Sequence, residues 1–456
     1  MDERKTLILQ HINERLTSLK ELGKVYSPEK IDELATKLSS SPKTITEINT
    51  LIDNKFSNQV RKINHNKYLA SLQEYYIASI DKLKKNNNCY LLSYEHGIKV
   101  LEQANIKEIK DVNPYIKKVS INNEKIGYQK ENSVNNDYEL IMSDIAYLLK
   151  IEYANTYRIF DEDMKPKGVV NISFESKNER FLNLEETLQF IKEESTKFNL
   201  TQELIDYHDK RIKKGLEQII DKKEYENNLE YVFKLFKALP DITEDNIKEL
   251  KRTYLNIKIF ELLTNSLNNN LSNIGLIINK ENLKYTYKLS PSYNKYTIEI
   301  PSIEPNETIC NFYIVDKKTL LDTIINKYYD DVKEILSLIV SNRETLFPLI
   351  NQVIKEHLEY DEYKKYYNLV SDNLNMIEQT VTTKKSTNPD TEEDKKNYEK
   401  NNELYQNRIS PFVDNYVSDY DDEKGSIVVT AIIVAVLLVT IAVVLLAILS
   451  ISRMDM

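Results

Sequence analysis

The sequence predicts an α+β fold, predominantly helical: a small β-containing N-lobe and a larger helical C-lobe, preceded by an N-terminal helical module and followed by a C-terminal transmembrane helix. Three observations predict it. Strand-like alternation is concentrated in 157–174 and 275–289, bounded by turn residues. Apolar residues at helical spacing dominate 6–85 and 184–381. Residues 427–451 form a run without a charge, whose only polar members are Thr430, Thr440 and Ser450.

At 456 residues the chain can hold two or three domains and a sizeable core. A net charge of −9 argues against nucleic-acid binding, which needs a concentrated basic face. The seven Gly, at 23, 97, 127, 168, 215, 275 and 425, are never closer than thirty residues, so neither a GxGxxG nor a Walker loop exists here. Two cysteines, Cys89 and Cys310, are too few for a disulfide framework and fit a reducing compartment. The five His, at 11, 65, 96, 208 and 357, lack ligand spacing and read as ordinary surface or half-buried residues.

In chain order, 6–22 reads as an amphipathic helix with no secretory signal. Ser27-Pro28 starts a second, and Thr44-x-x-Glu47 is a capping box, so 6–85 predicts three or four helices ended by Asn86-Asn87-Asn88. Residues 89–93 read as a strand or a short helical turn, and 96–104 as helix. Leu140, Ile141, Ile145, Leu148 and Leu149 form a helical stripe; 157–160 and 169–174 then read as strands around a Lys167-Gly168 turn. Helices are expected at 184–197, 201–221, 224–239 and 243–267. An Asn-rich loop, a strand at 276–279, a polar turn and a strand at 284–289 follow. Beyond a loop marked by Pro301 and Pro305, helices resume at 317–341 and 344–381. The domains expected are thus 1–109 (helical module), 110–175 (N-lobe), 176–381 (C-lobe), 382–424 (a polar, charged, flexible stalk) and 425–452 (transmembrane anchor). At 25 residues the apolar run exceeds the roughly 20 that cross a bilayer. Its place at the end of the chain predicts a tail-anchored, single-pass protein with its N-terminal domains in the cytoplasm and the membrane as a partner.

Residues 260–294 carry a resemblance. An apolar helix end, Phe260-Glu261-Leu262-Leu263, leads to Asn268-Asn269-Asn270-Leu271-Ser272-Asn273, a strand, and then Leu289-Ser290-Pro291-Ser292-Tyr293-Asn294. That order resembles the catalytic segment of HipA-like kinases, a family of protein-kinase-like fold in which the loop reads Asp-Arg-His-x-x-Asn and Leu-x-Pro-x-Tyr-Asp-Asn closes the second strand. Upstream, Gly127-Tyr128-Gln129-Lys130, the helix bearing Glu139, and Gly168-Val169-Val170-Asn171-Ile172-Ser173 are similar to the N-lobe of that family. The resemblance makes Lys130 and Glu139 the nucleotide-binding positions, Asn268 the catalytic Asp position, and Asn273 and Asn294 the metal positions. Asn269 and Asn270 stand where the family has Arg and His. Of these catalytic and metal positions only Asn273 is as the family has it; Asn294 replaces a metal-binding Asp.

Phosphoryl transfer uses anionic oxygen twice, to orient the substrate hydroxyl and to hold magnesium. An amide supplies an oxygen without the charge. The resemblance therefore implies a catalytically degenerate, membrane-tethered pseudokinase acting as a cytoplasmic binding or scaffolding domain, with an unidentified protein partner, no nucleic acid and no cofactor. Two alternatives stand beside it. One is a divergent active Ser/Thr kinase that uses ATP and Mg and recruits Glu299, Glu304 or Asp322. The other is a helical membrane-anchored interaction protein without a nucleotide site.

Overall fold

The computed structural model describes residues 3–80, 89–95, 98–131, 134–176, 178–215, 217–219, 221–267, 269–281, 283–293 and 303–387. The chain divides into two units. One is Met1–Ser93 with Val100–Glu399; of the other, Tyr94–Lys99 with Lys400–Met456, only the strand ends Tyr94, Glu95, Ile98 and Lys99 are described. Apart from those four strand-end residues, everything below concerns the first.

Helices α1 (Glu3–Glu21), α2 (Pro28–Ser39) and α3 (Ile45–Ile80) pack around Ile8, Ile12, Ala35, Ile48 and Ile52. Their starts follow from capping. The Ser27 hydroxyl accepts from the Lys30 N–H, and at Thr44 the box closes both ways, Thr44 N–H to Glu47 Oε2 at 2.7 Å and Glu47 N–H to Thr44 Oγ1 at 3.3 Å. The far part of α3 docks on the C-terminal helices: His65 donates through Nε2 to the Leu358 carbonyl at 2.8 Å and stacks on Tyr363. Burial there holds His65 below the usual imidazole range.

Next come β1 (Cys89–Glu95), β2 (Ile98–Ala104), β3 (Ile106–Asn113), β4 (Ile116–Ile121), β5 (Lys125–Glu131), α4 (Val134–Leu148), β6 (Thr156–Phe160) and β7 (Pro166–Ile172). They build a seven-stranded sheet in the order β2-β1-β6-β7-β5-β4-β3, one face packed on Leu91, Val119, Ile121, Tyr157, Ile159 and Val170. The helix expected at 96–104 is corrected to strand β2. Ile98-Lys99-Val100 alternates, and with β1 as a neighbour, pairing overrides local preference. Gly168 lies inside β7, not in a turn; the turn is Asp161–Lys165, where the Asp161 carboxylate accepts from the N–H groups of Asp163 and Lys165. With φ at +136° and the Lys130 carbonyl 1.9 Å from where a Cβ would sit, position 168 admits only glycine. That missing side chain is what lets β7 lie flush against β5 at Lys130.

The helical region holds β8 (Glu179–Asn183), α5 (Leu184–Glu194), α6 (Phe198–Lys214), β9 (Glu217–Gln218), α7 (Lys222–Ala238) and α8 (Glu244–Thr264). A 3-10 turn (Leu271–Asn273), β10 (Gly275–Glu281), β11 (Lys284–Leu289), β12 (Glu307–Cys310), β13 (Tyr313–Asp316), α9 (Lys317–Ser341), α10 (Arg343–His357) and α11 (Tyr360–Thr387) complete it. Two small sheets, β11-β10-β8 and β12-β13-β9, flank the central α8. Helix α8 buries Tyr254, Leu255, Ile257, Phe260 and Leu263, and with them a Lys258–Glu261 ion pair at 2.8 Å. The helix expected at 201–221 ends at Lys214 because Gly215 takes φ +73°. That expected at 344–381 breaks where Leu358 turns extended, giving α10 and α11.

One expectation is overturned. Among the described residues no helix is long and apolar enough to cross a membrane, and 425–452 lies outside the described residues. The long helices fail for a physical reason: α9, for example, is interrupted by Asp322, Lys327, Asp330, Asp331, Lys333 and Glu334. The C-terminal transmembrane helix, and with it the tail-anchored, single-pass membrane localisation and the membrane as a partner, are accordingly set aside.

The first residue of α9 gives a pH signature. Lys317 is buried, donating to the Pro305 carbonyl at 2.6 Å, and burial pulls its ammonium from 10.5 down to about 8 against the attraction of Asp316 and Asp372. Between pH 8 and 10.5 the unfolded chain holds a proton that the folded chain has released, so this group's contribution to stability rises with pH across that window. Urea unfolding of the parent and of Lys317→Met at pH 7.5 and 9.5 should show the parent gaining on the variant by up to about 1.4 kcal/mol per pH unit. A gap unchanged between the two pH values would refute it.

Candidate functional site

Strand β5 carries Lys130 and helix α4 carries Glu139. Lys130 Nζ meets Glu139 Oε1 at 2.8 Å and Oε2 at 2.7 Å. The carboxylate is 2% exposed and the ammonium 16%, so the pair sits where solvent screens little. Asn171, on β7, adds a third member: its Nδ2 donates to Glu139 Oε1 at 2.8 Å and to Thr156 Oγ1 at 3.3 Å. Because a carboxylate only accepts, the amide's orientation is set by Glu139.

A second set of charges holds α4 against α10. Arg158 Nη2 reaches Asp137 Oδ1 at 2.6 Å and His357 Nδ1 at 3.2 Å, and His357 Nε2 reaches Asp144 Oδ2 at 3.0 Å. Burial pushes the Asp137 carboxyl up despite its Arg158 partner. Sequence reading had no signal for this group: its members are 21 to 213 residues apart, and His357 looked ordinary.

Beside Lys130 lies a cavity of about 250 Å³. Val112, Ile116, Tyr128 and Ile172 line it from the sheet, Phe174, Phe181 and Tyr293 from the segments that follow, and Lys130 and Asn171 from the polar side. The three rings meet edge to face or tilted, with centroids 5.2–5.8 Å apart. Gly275 permits this, since a Cβ there would lie 2.4 Å from the Phe181 ring. The Tyr293 hydroxyl donates to the Ser272 carbonyl at 2.9 Å, tying the cavity wall to the turn that bears Asn273. The same segment is anchored to the stretch between α4 and β6 by Ser292 N–H to the Glu152 carbonyl and Ala154 N–H to the Ser292 carbonyl, both 2.8 Å.

The structure thus brings Lys130 and Glu139 together, and links Asn273 to the same region through Ser272 and Tyr293. Asn273 is 8% exposed, with Nδ2 donating to Asn270 Oδ1 at 2.8 Å. Asn270 caps the 3-10 turn, and Asn269 is buried in a bond with Ser266. Asn268, Asn294 and Glu299 lie outside the described residues. Glu304 and Asp322 are described and are not among the cavity's lining residues. Asn273 offers a neutral amide oxygen, and among the described residues no three His, Cys, Asp or Glu side chains converge to hold a metal ion.

No protein-family model matches the sequence, and no curated protein matches it. Solved structures are similar to it, two of them as follows. The Helicobacter pylori proinflammatory kinase CtkA shares 11% identity over 61% of this chain and 98% of its own, with a TM-score of 0.40. HipA of the Shewanella oneidensis MR-1 toxin–antitoxin system, solved with HipB and operator DNA, shares 12% over 68% of this chain and 70% of its own, with a TM-score of 0.33. The chain resembles the HipA-like kinases. At these identities and TM-scores the likeness to HipA-like structures identifies neither an activity nor a substrate.

The buried pair is testable without any ligand. Lys130→Met leaves the Glu139 carboxylate buried and uncompensated and should cost about 3–5 kcal/mol in urea unfolding, whereas Lys130→Met with Glu139→Leu should recover most of it. A single variant within about 1 kcal/mol of the parent would show that the pair contributes little.

Proposed function

We propose that this chain is a HipA-like pseudokinase: a binding or scaffolding protein whose kinase-like cleft takes a ligand without transferring phosphate. The observation that carries the reading is a contrast within one site. The Lys130–Glu139 pair is formed at 2.7–2.8 Å beside a cavity, while the sequence has Asn, and not Asp, at 268 and 294. On this reading Lys130 and Glu139 shape the ligand pocket and Asn268, Asn273 and Asn294 are remnants of a catalytic and metal set.

On this reading each missing carboxylate removes a function. Without one at 268 the acceptor hydroxyl has no proton acceptor, and without one at 294 magnesium loses an anionic ligand. Positioning and charge neutralisation carry most of phosphoryl-transfer catalysis, so the two losses together cost many orders of magnitude in rate.

Purified protein incubated with labelled ATP and magnesium should phosphorylate neither itself nor generic acceptors above a blank. Asn268→Asp combined with Asn294→Asp is the informative companion, since turnover appearing in it assigns the loss to those two positions. Robust magnesium-dependent ATP turnover by the unaltered chain would overturn the pseudokinase reading in favour of the divergent kinase.

A further inference from the structure

The N-terminal helical module carries a surface feature of its own, apart from the cleft. Near the connection from α1 to α2 its core is left open: Ile12, Leu16, Ile31, Leu34 and Phe56 line an apolar socket of about 80 Å³. Leu16, Ile31, Leu34 and Phe56 pack on the core around Ile8 and Ile48, yet all four are only half-buried. The space is far below the roughly 300–1,000 Å³ of small-molecule pockets and suits the end of one large apolar side chain.

The rim of this socket is cationic. Lys30 and Lys55 are exposed on it, no carboxylate is among its described lining residues, and neither lysine makes an ion pair with a described residue. Lys24 stands beside them with neutral partners, its Nζ donating to Gln59 Oε1 at 2.5 Å and lying 5.6 Å from the centroid of the Tyr26 ring. The module has acids, but they are placed elsewhere. Asp32 pairs with Lys5 at 2.7 Å, and Asp53 accepts from Arg15 at 2.6 Å and meets His11 at 2.8 Å. Asp32 is two residues from Lys30, and Asp53 two from Lys55, so each acid lies on the far side of its helix from the lysine. The lysines therefore surround an apolar socket with charge that the module does not compensate.

We propose that this end of the module docks an acidic amphipathic helix of a partner protein, which inserts one large apolar side chain between α1, α2 and α3 and sets carboxylates against Lys24, Lys30 and Lys55. An apolar anchor in a groove supplies the affinity of such a contact, and the charges around it choose the partner. A lipid chain fits less well, since most of its methylenes would stay outside a space of this size. The site does not depend on the reading of the cleft.

Fluorescence anisotropy on the full chain tests it with three labelled synthetic peptides: one with Leu and Phe at i, i+3, i+4 and i+7 and Glu elsewhere, a second with Lys for each Glu, and a third that keeps the Glu but has Ala for each Leu and Phe. The first should bind, more weakly as salt rises, and the other two should not. Lys30→Glu combined with Lys55→Glu changes two exposed side chains, so the thermal midpoint should hold while affinity for the first peptide falls about 10-fold or more and the second begins to bind. No binding of the first peptide at millimolar concentration, equal binding of the first and third, or unchanged affinity in the double variant would each overturn the inference. Binding to phosphatidylglycerol vesicles that is lost in the double variant, with no peptide bound, would overturn it in favour of a lipid surface. The pseudokinase reading stands or falls separately, on turnover of ATP.

Discussion

The Lys130–Glu139 pair is the constraint on which the seven-stranded sheet and its helix α4 depend. Two opposite charges within 2.8 Å, one of them almost wholly buried, tolerate no slack, because a shift that separates them leaves a carboxylate desolvated and uncompensated. Every neighbouring feature serves that geometry. Gly168 lets β7 approach β5 at the level of Lys130, α4 presents Glu139 from across the sheet, and Asn171 satisfies a further lone pair of the carboxylate. The pair fixes strand, helix and sheet relative to one another.

Helix α4 is held from its other side too. Asp137 and Asp144 flank Glu139 on that helix and are tied through Arg158 and His357 to β6 and α10. Tyr138 adds a hydrogen bond from its hydroxyl to Glu362 and an edge-on contact with Tyr366 of α11. Tyr366 in turn donates to the Thr264 carbonyl at the end of α8, where the loop bearing Asn269, Asn270 and Asn273 begins. A continuous set of packed and hydrogen-bonded groups therefore runs from the buried pair to that loop. The α3 helix docks on the same α10–α11 corner through His65 and Tyr68, so the N-terminal module braces the elements that hold α4.

Much of this was legible in the sequence, and the reasons differ element by element. Capping boxes and a Pro in the first turn mark α2 and α3 because they act over three or four residues. The Glu139 helix and the strands at 157–160 and 169–174 show in their periodicity, and Lys130 was named through the resemblance to HipA-like kinases. Strand β2 was misread as helix because seven residues carry too little periodicity to outweigh a neighbour that the sequence cannot display. Asn171 stood in a segment that read as a strand but gave no sign of its role. Its one signal was a polar residue in a strand otherwise apolar on both faces, with Val169 and Val170 before it and Ile172 after. The Asp144–His357 contact spans 213 residues and leaves no local trace at all.

The intact pair and the missing carboxylates look contradictory only if both are read as catalytic. Their physics separates them. On the proposed reading, Asn at 268 and 294 removes two charges. Removing Lys130 or Glu139 strands its partner in a buried site, and the loss is felt at once as stability. The buried ion pair is thus held under constraint by stability alone. Asn269 and Asn270 fit the same logic, since both now serve the local structure of the loop, one buried against Ser266 and one capping the 3-10 turn that carries Asn273. The presence of Lys130 and Glu139 is accordingly a statement about how this lobe is held together, and the chemistry of the cleft has to be read from what surrounds them: three aromatic rings, one unsatisfied amide oxygen, and no uncompensated cation among the described lining residues.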